Sequence, residues 1–193
     1  LDMELYDPEK FKDWINPKMT RMVDNCKDTF DKTGAGQVIF CDRIFPGEEE
    51  FSGSKFNLHE KIKAALVAKG FKPEEIVIVN GMTKSGGQQS DAAVESMVSS
   101  AIDGYNSGKY KIVIGTTHTL GEGVNLQKNS AAVHNFDIPY RPSDFIQRNG
   151  RVDRQGNKQG EVVLNNYMSP GTDQESIQRV TGKQNWINQI LET

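Results

Sequence analysis

Short, almost wholly apolar runs alternate along this chain with longer stretches in which apolar residues recur every three or four positions. A short apolar run is typical of a strand covered on both faces, and the longer spacing is typical of a helix with one buried side. The predicted strands are residues 37–41, 75–79, 111–114, 131–136 and 161–164, and the predicted helices are 17–32, 58–69, 91–105, 142–152 and 173–191. This alternation predicts an α/β fold, an open parallel sheet with helices on both faces and flanking helices at both ends.

Composition limits the class of protein further. The 193 residues suffice for one compact domain. Because the chain has neither a leader nor a long apolar run, we expect a cytoplasmic protein with no membrane contact. Its net charge of −3 means that any nucleic-acid contact must be local. Cys26 and Cys41 have no metal-site or disulfide spacing and are expected to be reduced packing residues.

Ligands of open parallel sheets bind beyond the carboxyl ends of the strands. We therefore expect the working edge to consist of the loops after Cys41, Val79, Ile114 and Phe136. The chain opens at Leu1 in a polar, helix-like stretch, which favours a piece of a longer protein.

An arginine-rich segment follows the fourth predicted strand. If the helix continues through it, Gln147, Arg151 and Arg154 lie on one face, where two guanidinium groups can grip a phosphate. Arg148 is predicted to point away from this face. The alternative is a solvated basic helix paired with nearby carboxylates, those of Asp144 and Asp153.

The order Gln-x-x-Gly-Arg-x-x-Arg in this segment resembles motif VI of superfamily-two helicases, whose C-terminal lobe has a RecA-like fold. The resemblance implies that Arg151 and Arg154 are arginine fingers for an ATP held on a partner lobe. Gln147 joins them as a catalytic residue by the same resemblance, and Gly150 lies near the nucleotide.

A second motif spans the third predicted strand and the residues after it. The strand runs into Gly121-x-Gly123, where the backbone can approach a ligand closely, although an ordinary tight loop is the alternative. The run resembles motif V of the same superfamily. This implies that Thr116 and Thr117 contact nucleic acid and that Gly121, Gly123 and Asn125 lie near the nucleotide.

Three further parallels bear on the substrate. Residues 38–42 resemble motif IV, which implies nucleic-acid contacts for Asp42 and Arg43. Residues 136–147 resemble the connector of Swi/Snf-type translocases, and residues 115–156 resemble helicase-methylase and antirestriction proteins of phages and mobile elements. These parallels favour double-stranded DNA. The chain departs from the Swi/Snf group before the 91–105 helix, where Gln88, Gln89 and Asp91 replace basic residues.

No segment has the P-loop pattern Gly-x-x-x-x-Gly-Lys-[Ser/Thr]. The resemblance therefore implies that ATP and Mg²⁺ are held mainly by an N-terminal RecA-like lobe of the same full-length protein, and that this fragment alone is inactive. Residues 1–36 are predicted as a helical lead-in, 37–168 as the RecA-like domain and 169–193 as a C-terminal helix. An RNA helicase lobe and a non-catalytic α/β interaction module remain the alternatives.

Isolated histidine and tryptophan residues carry weaker signals. His118 follows the third strand without a nucleophile or metal-ligand partner, so a structural role is favoured over a general base. Trp14 and Trp186 are expected to pack the terminal helices onto the sheet, with a contact to a neighbouring domain as the alternative for either.

Overall fold

Five parallel strands form a single sheet in the order β2-β3-β1-β4-β5. The computed structural model describes residues 16–42, 57–80, 90–121, 124–169 and 172–191. Within them the strands are β1 Gly36–Phe40, β2 Ile76–Val79, β3 Ile112–Gly115, β4 Ser130–Asn135 and β5 Val163–Asn166. The predicted α/β class with an open parallel sheet is confirmed.

Helices cover both faces of this sheet. They are α1 Pro17–Thr33, α2 Leu58–Ala68, α3 Asp91–Asn106, α4 Thr117–Gly121, α5 Pro142–Gly150 and α6 Thr172–Leu191. Apolar residues of α1 and α2 pack on one face, around Ile39 of β1, and those of α3 and α4 pack on the other, around Val38 and Phe40. Successive residues of a strand point to opposite faces, so the same short run supplies both cores. No helix in the described ranges is long and apolar enough to span a membrane.

The first described helix begins where its sequence predicts. The side chain of Asn16 accepts hydrogen bonds from the backbone N–H groups of Lys18 and Met19, and Pro17 occupies the first turn. Lys18 then forms an ion pair with Asp173 at 2.6 Å, and both side chains are almost wholly buried. The pair ties the start of α1 to the start of α6.

Two expectations about the C-terminal part are wrong. Trp186 is 65% exposed instead of packing α6 onto the sheet, and Ile187 is also exposed. Strand β5 starts two residues later than predicted, and its Val163 and Leu164 are exposed. Trp14 lies outside the described residues.

A buried polar network crosses the sheet beneath α1. The Nε2 atom of His134 lies 2.8 Å from Oε1 of Gln37, and its Nδ1 lies 2.8 Å from the hydroxyl of Tyr167. Since the Gln37 oxygen only accepts, His134 donates through Nε2 and accepts through Nδ1, which is the neutral form. Asn25 donates to the Tyr167 hydroxyl at 3.0 Å. Burial lowers the pKa of His134 to about 3.

This histidine makes the fold sensitive to acid. Below about pH 6.5 the unfolded chain binds a proton at His134, whereas the folded chain does not. The contribution of neutral His134 to the stability of the fold is therefore complete above about pH 6.5 and is lost as the pH falls toward 3. We expect His134→Gln to reduce the dependence of the unfolding free energy on pH by about 1.4 kcal/mol per unit between pH 6 and 4. Denaturant titrations of both proteins measure this difference, and parallel curves would contradict it.

Candidate functional site

The most enclosed charge at the carboxyl ends of the strands is the guanidinium of Arg148, which is fully buried. Its Nη2 atom contacts carboxylate oxygens of Asp42 at 2.7 Å and Asp137 at 3.0 Å. Nε donates to the Thr117 hydroxyl at 2.7 Å, and Nη1 donates to the Asp137 carbonyl at 3.0 Å and to the Asn135 side chain at 3.4 Å. A guanidinium has five N–H donors, and these bonds employ all of them.

The strand order explains why these groups meet. Asp42 follows β1, Thr117 follows β3, and Asn135 and Asp137 lie at and beyond the end of β4. Since β3, β1 and β4 are adjacent and parallel, their carboxyl ends are neighbours. The Asp137 carboxylate also accepts from the backbone N–H of Asp42 at 2.5 Å, and the Asp42 carboxylate accepts from Thr117. We name Arg148, Asp42, Asp137, Thr117 and Asn135 the tip cluster.

Sequence reasoning predicted Asp42 and Thr117 as site residues but missed Arg148, Asp137 and Asn135. It expected Arg148 to point away from the face of Gln147, Arg151 and Arg154 and gave it no role. The available signal was a pair of aspartates, Asp42 and Asp137, that each follow a buried strand and need a cationic partner.

An open cavity of about 500 Å³ lies beside the tip cluster. The structure brings four predicted site residues together in its wall, namely Asp42, Thr116, Thr117 and Gln147. The remaining wall residues are His118, Arg141 and Asp144. Hydroxyl, amide and cationic groups of this kind bind the phosphates and sugars of nucleic-acid backbones.

The link from β3 to the glycine motif differs from the prediction. The strand does not run straight into Gly121, because the five-residue helix α4 intervenes. The hydroxyls of Thr116 and Thr119 lie 3.0 Å apart, and Thr119 donates to the Val79 carbonyl at 2.8 Å, which fixes the turn into α4. A Cβ on Gly115 would lie 2.6 Å from Leu120 and 2.8 Å from the Val79 oxygen, so only glycine fits there.

The two predicted finger arginines do not share one helical face. Helix α5 ends at Gly150 with Arg151 as its C-cap, and Arg154 lies in the turn beyond it. Beyond the helix, Val152 is buried in the core, and the Arg151 carbonyl accepts from the backbone N–H of Leu126 at 3.3 Å. After α5 the chain runs toward the start of β4, where Asn157 donates to the Ser130 carbonyl. Neither arginine is among the described residues that line the cavity at the strand tips.

Arg154 is exposed and Arg151 is half-buried. Arg154 Nη1 donates to the side chain of Asn125 at 3.1 Å, so a predicted finger and a predicted nucleotide-binding residue are in contact. Neither arginine forms an ion pair with another described residue, so the alternative pairing with Asp144 and Asp153 is absent. Most of the N–H groups of Arg154 have no partner among the described residues, so they can donate hydrogen bonds to an external anion.

The remaining predicted residues divide into two groups. Gly121 is the last residue of α4, and Gly150 is the last residue of α5. Gly123 and Arg43 lie outside the described residues, as do Gln88 and Gln89. Among described residues, no group of three or more His, Cys, Asp and Glu side chains is placed to hold a metal ion.

Gly150 has no conformational reason to be glycine within this lobe. It has no positive φ, and a Cβ added there would have nothing within 4 Å. We expect Gly150→Ala to raise the unfolding free energy by about 0.5–1 kcal/mol, because alanine is the better helix residue. The matched control is Gly34, which has equal space but a φ of 63° after α1, so that Gly34→Ala should be destabilising. Thermal unfolding compares them, and equal losses would contradict the assignment.

His59 lies behind the tip cluster in a structural role. The ring is fully buried, with Nε2 donating to the Cys41 carbonyl at 2.8 Å and Nδ1 accepting from Asn80 at 3.2 Å. Burial lowers its pKa, although the Cys41 carbonyl and Asp137 oppose this. His59 thus joins the ends of β1 and β2. His118 is exposed at the cavity wall, where no described nucleophile or metal cluster accompanies it.

A parallel sheet with helices on both faces and a polar cavity at the strand tips are the features of a RecA-like α/β lobe. Residues 95–156 match the helicase conserved C-terminal domain. The chain is 28% identical over 105 residues to "Defense against restriction protein B" of Escherichia phage P1, a match that covers 54% of this chain and 5% of that protein. The resemblance that the motifs indicate is confirmed by the match of residues 95–156 to the helicase conserved C-terminal domain and by the similarity to the phage protein.

Solved structures with the same fold belong to two branches of this superfamily. The C-terminal part of the Fun30 ATPase domain has a TM-score of 0.58 at 18% identity, over 84% of this chain and 44% of that one. The DEAD-box protein SrmB of E. coli has a TM-score of 0.53 at 15% identity, over 78% and 69%. The C-terminal domain of the DEAD-box protein Dbp5 has a TM-score of 0.52 at 18% identity, over 87% and 79%. These likenesses show the fold alone.

Proposed function

We propose that this chain is the C-terminal motor lobe of a DNA-dependent ATPase that acts as a helicase or translocase. In this proposal Arg151 and Arg154 supply positive charge to an ATP and Mg²⁺ held by an N-terminal lobe. The observation that carries it is the exposed Arg154 guanidinium held beside Asn125. The segmentation into residues 1–36, 37–168 and 169–193, and a cytoplasmic location, belong to the same proposal.

The chemistry of the arginine pair is electrostatic. Phosphoryl transfer concentrates negative charge on the oxygens of the moving group, and a nearby guanidinium stabilises that charge. Asn125 orients Arg154, and the hydrogen bond from Leu126 to the Arg151 carbonyl fixes the backbone at the end of α5. The open side of Gly150 leaves space for a nucleotide to approach. Gln147 lines the tip cavity, so we place it on the nucleic-acid side of α5 rather than among the catalytic residues.

The tip cavity supplies part of the nucleic-acid track. Thr116 and Thr117 present hydroxyls, Arg141 presents a cation, and Asp42 orients Thr117 by accepting from its N–H and hydroxyl. Arg43, beyond the described residues, remains proposed as a further contact. We propose double-stranded DNA as the substrate from the resemblance to Swi/Snf-type translocases and from the similarity to a phage P1 protein named for defence against restriction. The DEAD-box neighbours share only the fold, and they keep an RNA helicase lobe as the second candidate.

The test is ATP hydrolysis by a protein that contains this lobe together with its ATP-binding lobe. We expect duplex DNA to stimulate turnover, and we expect the DNA concentration needed for stimulation to rise steeply with salt, as phosphate contacts require. Matched duplex RNA and single-stranded RNA are the controls. Stimulation by RNA alone would transfer the assignment to the second candidate, and no stimulation by either would favour a non-catalytic interaction module.

A further inference from the structure

We infer that Arg148 is a positioning residue that couples nucleic-acid occupancy of the tip cavity to the placement of Arg151 and Arg154. This inference rests on the proposed function and adds a route between its two ligands. Arg148 is fully buried and touches neither ligand in this assignment. It acts instead through the groups that it holds.

The first part of the route joins the cavity to Arg148. Asp42 and Thr117 line the cavity and also accept hydrogen bonds from the Arg148 guanidinium. The Asp42 side chain is 38% exposed, whereas that of Asp137 is 5% exposed. A backbone phosphate that accepts a hydrogen bond from the Thr117 hydroxyl replaces the bond that Asp42 now accepts, and therefore disturbs two of the acceptors of Arg148.

The second part joins Arg148 to the arginine pair. Arg148 lies in the last turn of α5, and its carbonyl accepts from the backbone N–H of Arg151 at 3.3 Å. The side chain of Asn149 bonds Asn135 at the end of β4, and its carbonyl accepts from Val152 and Asp153. The end of α5 is thus anchored to the strand tips on one side and carries Arg151 and Arg154 on the other.

The geometry makes this link specific for arginine. All five N–H donors of the planar Arg148 guanidinium are used, and they reach acceptors at the ends of β1, β3 and β4. Lysine retains the charge but has three donors on a single nitrogen, so it cannot hold all three strand ends in register. Arg148→Lys is therefore expected to weaken the link while keeping the charge balance of the tip cluster.

The experiment measures coupling rather than activity. In the protein that contains both lobes, duplex-DNA affinity is determined with and without a non-hydrolysable ATP analogue, and the ratio of the two affinities reports the coupling. A coupling of the usual size gives a ratio of about 5–150. We expect Arg148→Lys to bring the ratio to within about twofold of one. Asp42→Asn is the second variant, and the double variant should have no larger effect than either single variant.

Each outcome decides the inference. A merely structural role would lower both affinities and leave their ratio at the wild-type value, which would overturn the coupling. An additive double variant would also overturn it, since it would place Asp42 and Arg148 on separate routes. The proposed function is judged separately by the Arg151 and Arg154 variants. If they retain full turnover, that function fails whatever the ratio shows.

Discussion

Replacing Arg154 with alanine is expected to lower ATP turnover by a thousandfold or more in a protein that contains this lobe and its ATP-binding lobe. The loss arises because Arg154 is exposed beside Asn125 and is placed to stabilise charge that develops only during phosphoryl transfer. Arg151→Ala should behave in the same way. The measurement is steady-state hydrolysis at saturating ATP and DNA, and ATP binding should be spared.

The matched control is Lys158→Ala, which removes another exposed cation four residues after Arg154. Its backbone N–H bonds the Lys128 carbonyl, a contact that the substitution leaves intact. We expect turnover within about twofold of wild type, as is usual for surface substitutions that leave other groups in place. Normal turnover in both arginine variants would contradict the finger assignment.

Replacing Arg148 with methionine is expected to have the largest effect on stability. It leaves the buried Asp137 carboxylate and the partly buried Asp42 carboxylate without their cation. Breaking a buried pair in this way costs about 3–5 kcal/mol, a large part of the total stability of a domain of this size. Denaturant unfolding measures the loss.

Two controls separate charge from packing in this prediction. Arg141→Met removes an exposed guanidinium seven residues earlier and should change stability by less than about 0.5 kcal/mol. Adding Asp137→Asn to Arg148→Met should recover part of the loss, because it removes a buried negative charge that the Arg148 guanidinium no longer balances. If the double variant is less stable than Arg148→Met, the ion pair is not the source of the effect.

The fold was predictable because each strand contains or adjoins a short apolar run. The predicted strands lie within two residues of the observed ones, the largest shift being that of β5. Edge strands have one unpaired side and weaker patterning, so their ends are less well specified by apolar content. The exposure of Trp186 was not predictable, since the chain alone does not reveal which apolar side chains lack a partner.

The motifs of the site were predictable, but the contacts among its side chains and the ends of its helices were not. Helical periodicity predicted that α5 continues to Val152. In the structure α5 ends at Gly150, where the Arg151 carbonyl accepts from the backbone of Leu126 instead. Helix α4 depends on the hydroxyls of Thr116 and Thr119, which no periodicity reports. Arg148 acquired its partners only because β1, β3 and β4 end side by side, which is a property of the strand order.

The most direct measurement of the central claim compares two nucleotide states in the protein that contains both lobes. One is ADP with aluminium fluoride, which mimics the transferring phosphoryl group, and the other is a non-hydrolysable ATP analogue. If Arg154 acts on developing charge, Arg154→Ala weakens the binding of ADP with aluminium fluoride by about a hundredfold or more. It weakens the binding of the ATP analogue by less than about threefold. Equal weakening of both, or of neither, would contradict the claim that this lobe contributes its arginine to the reaction.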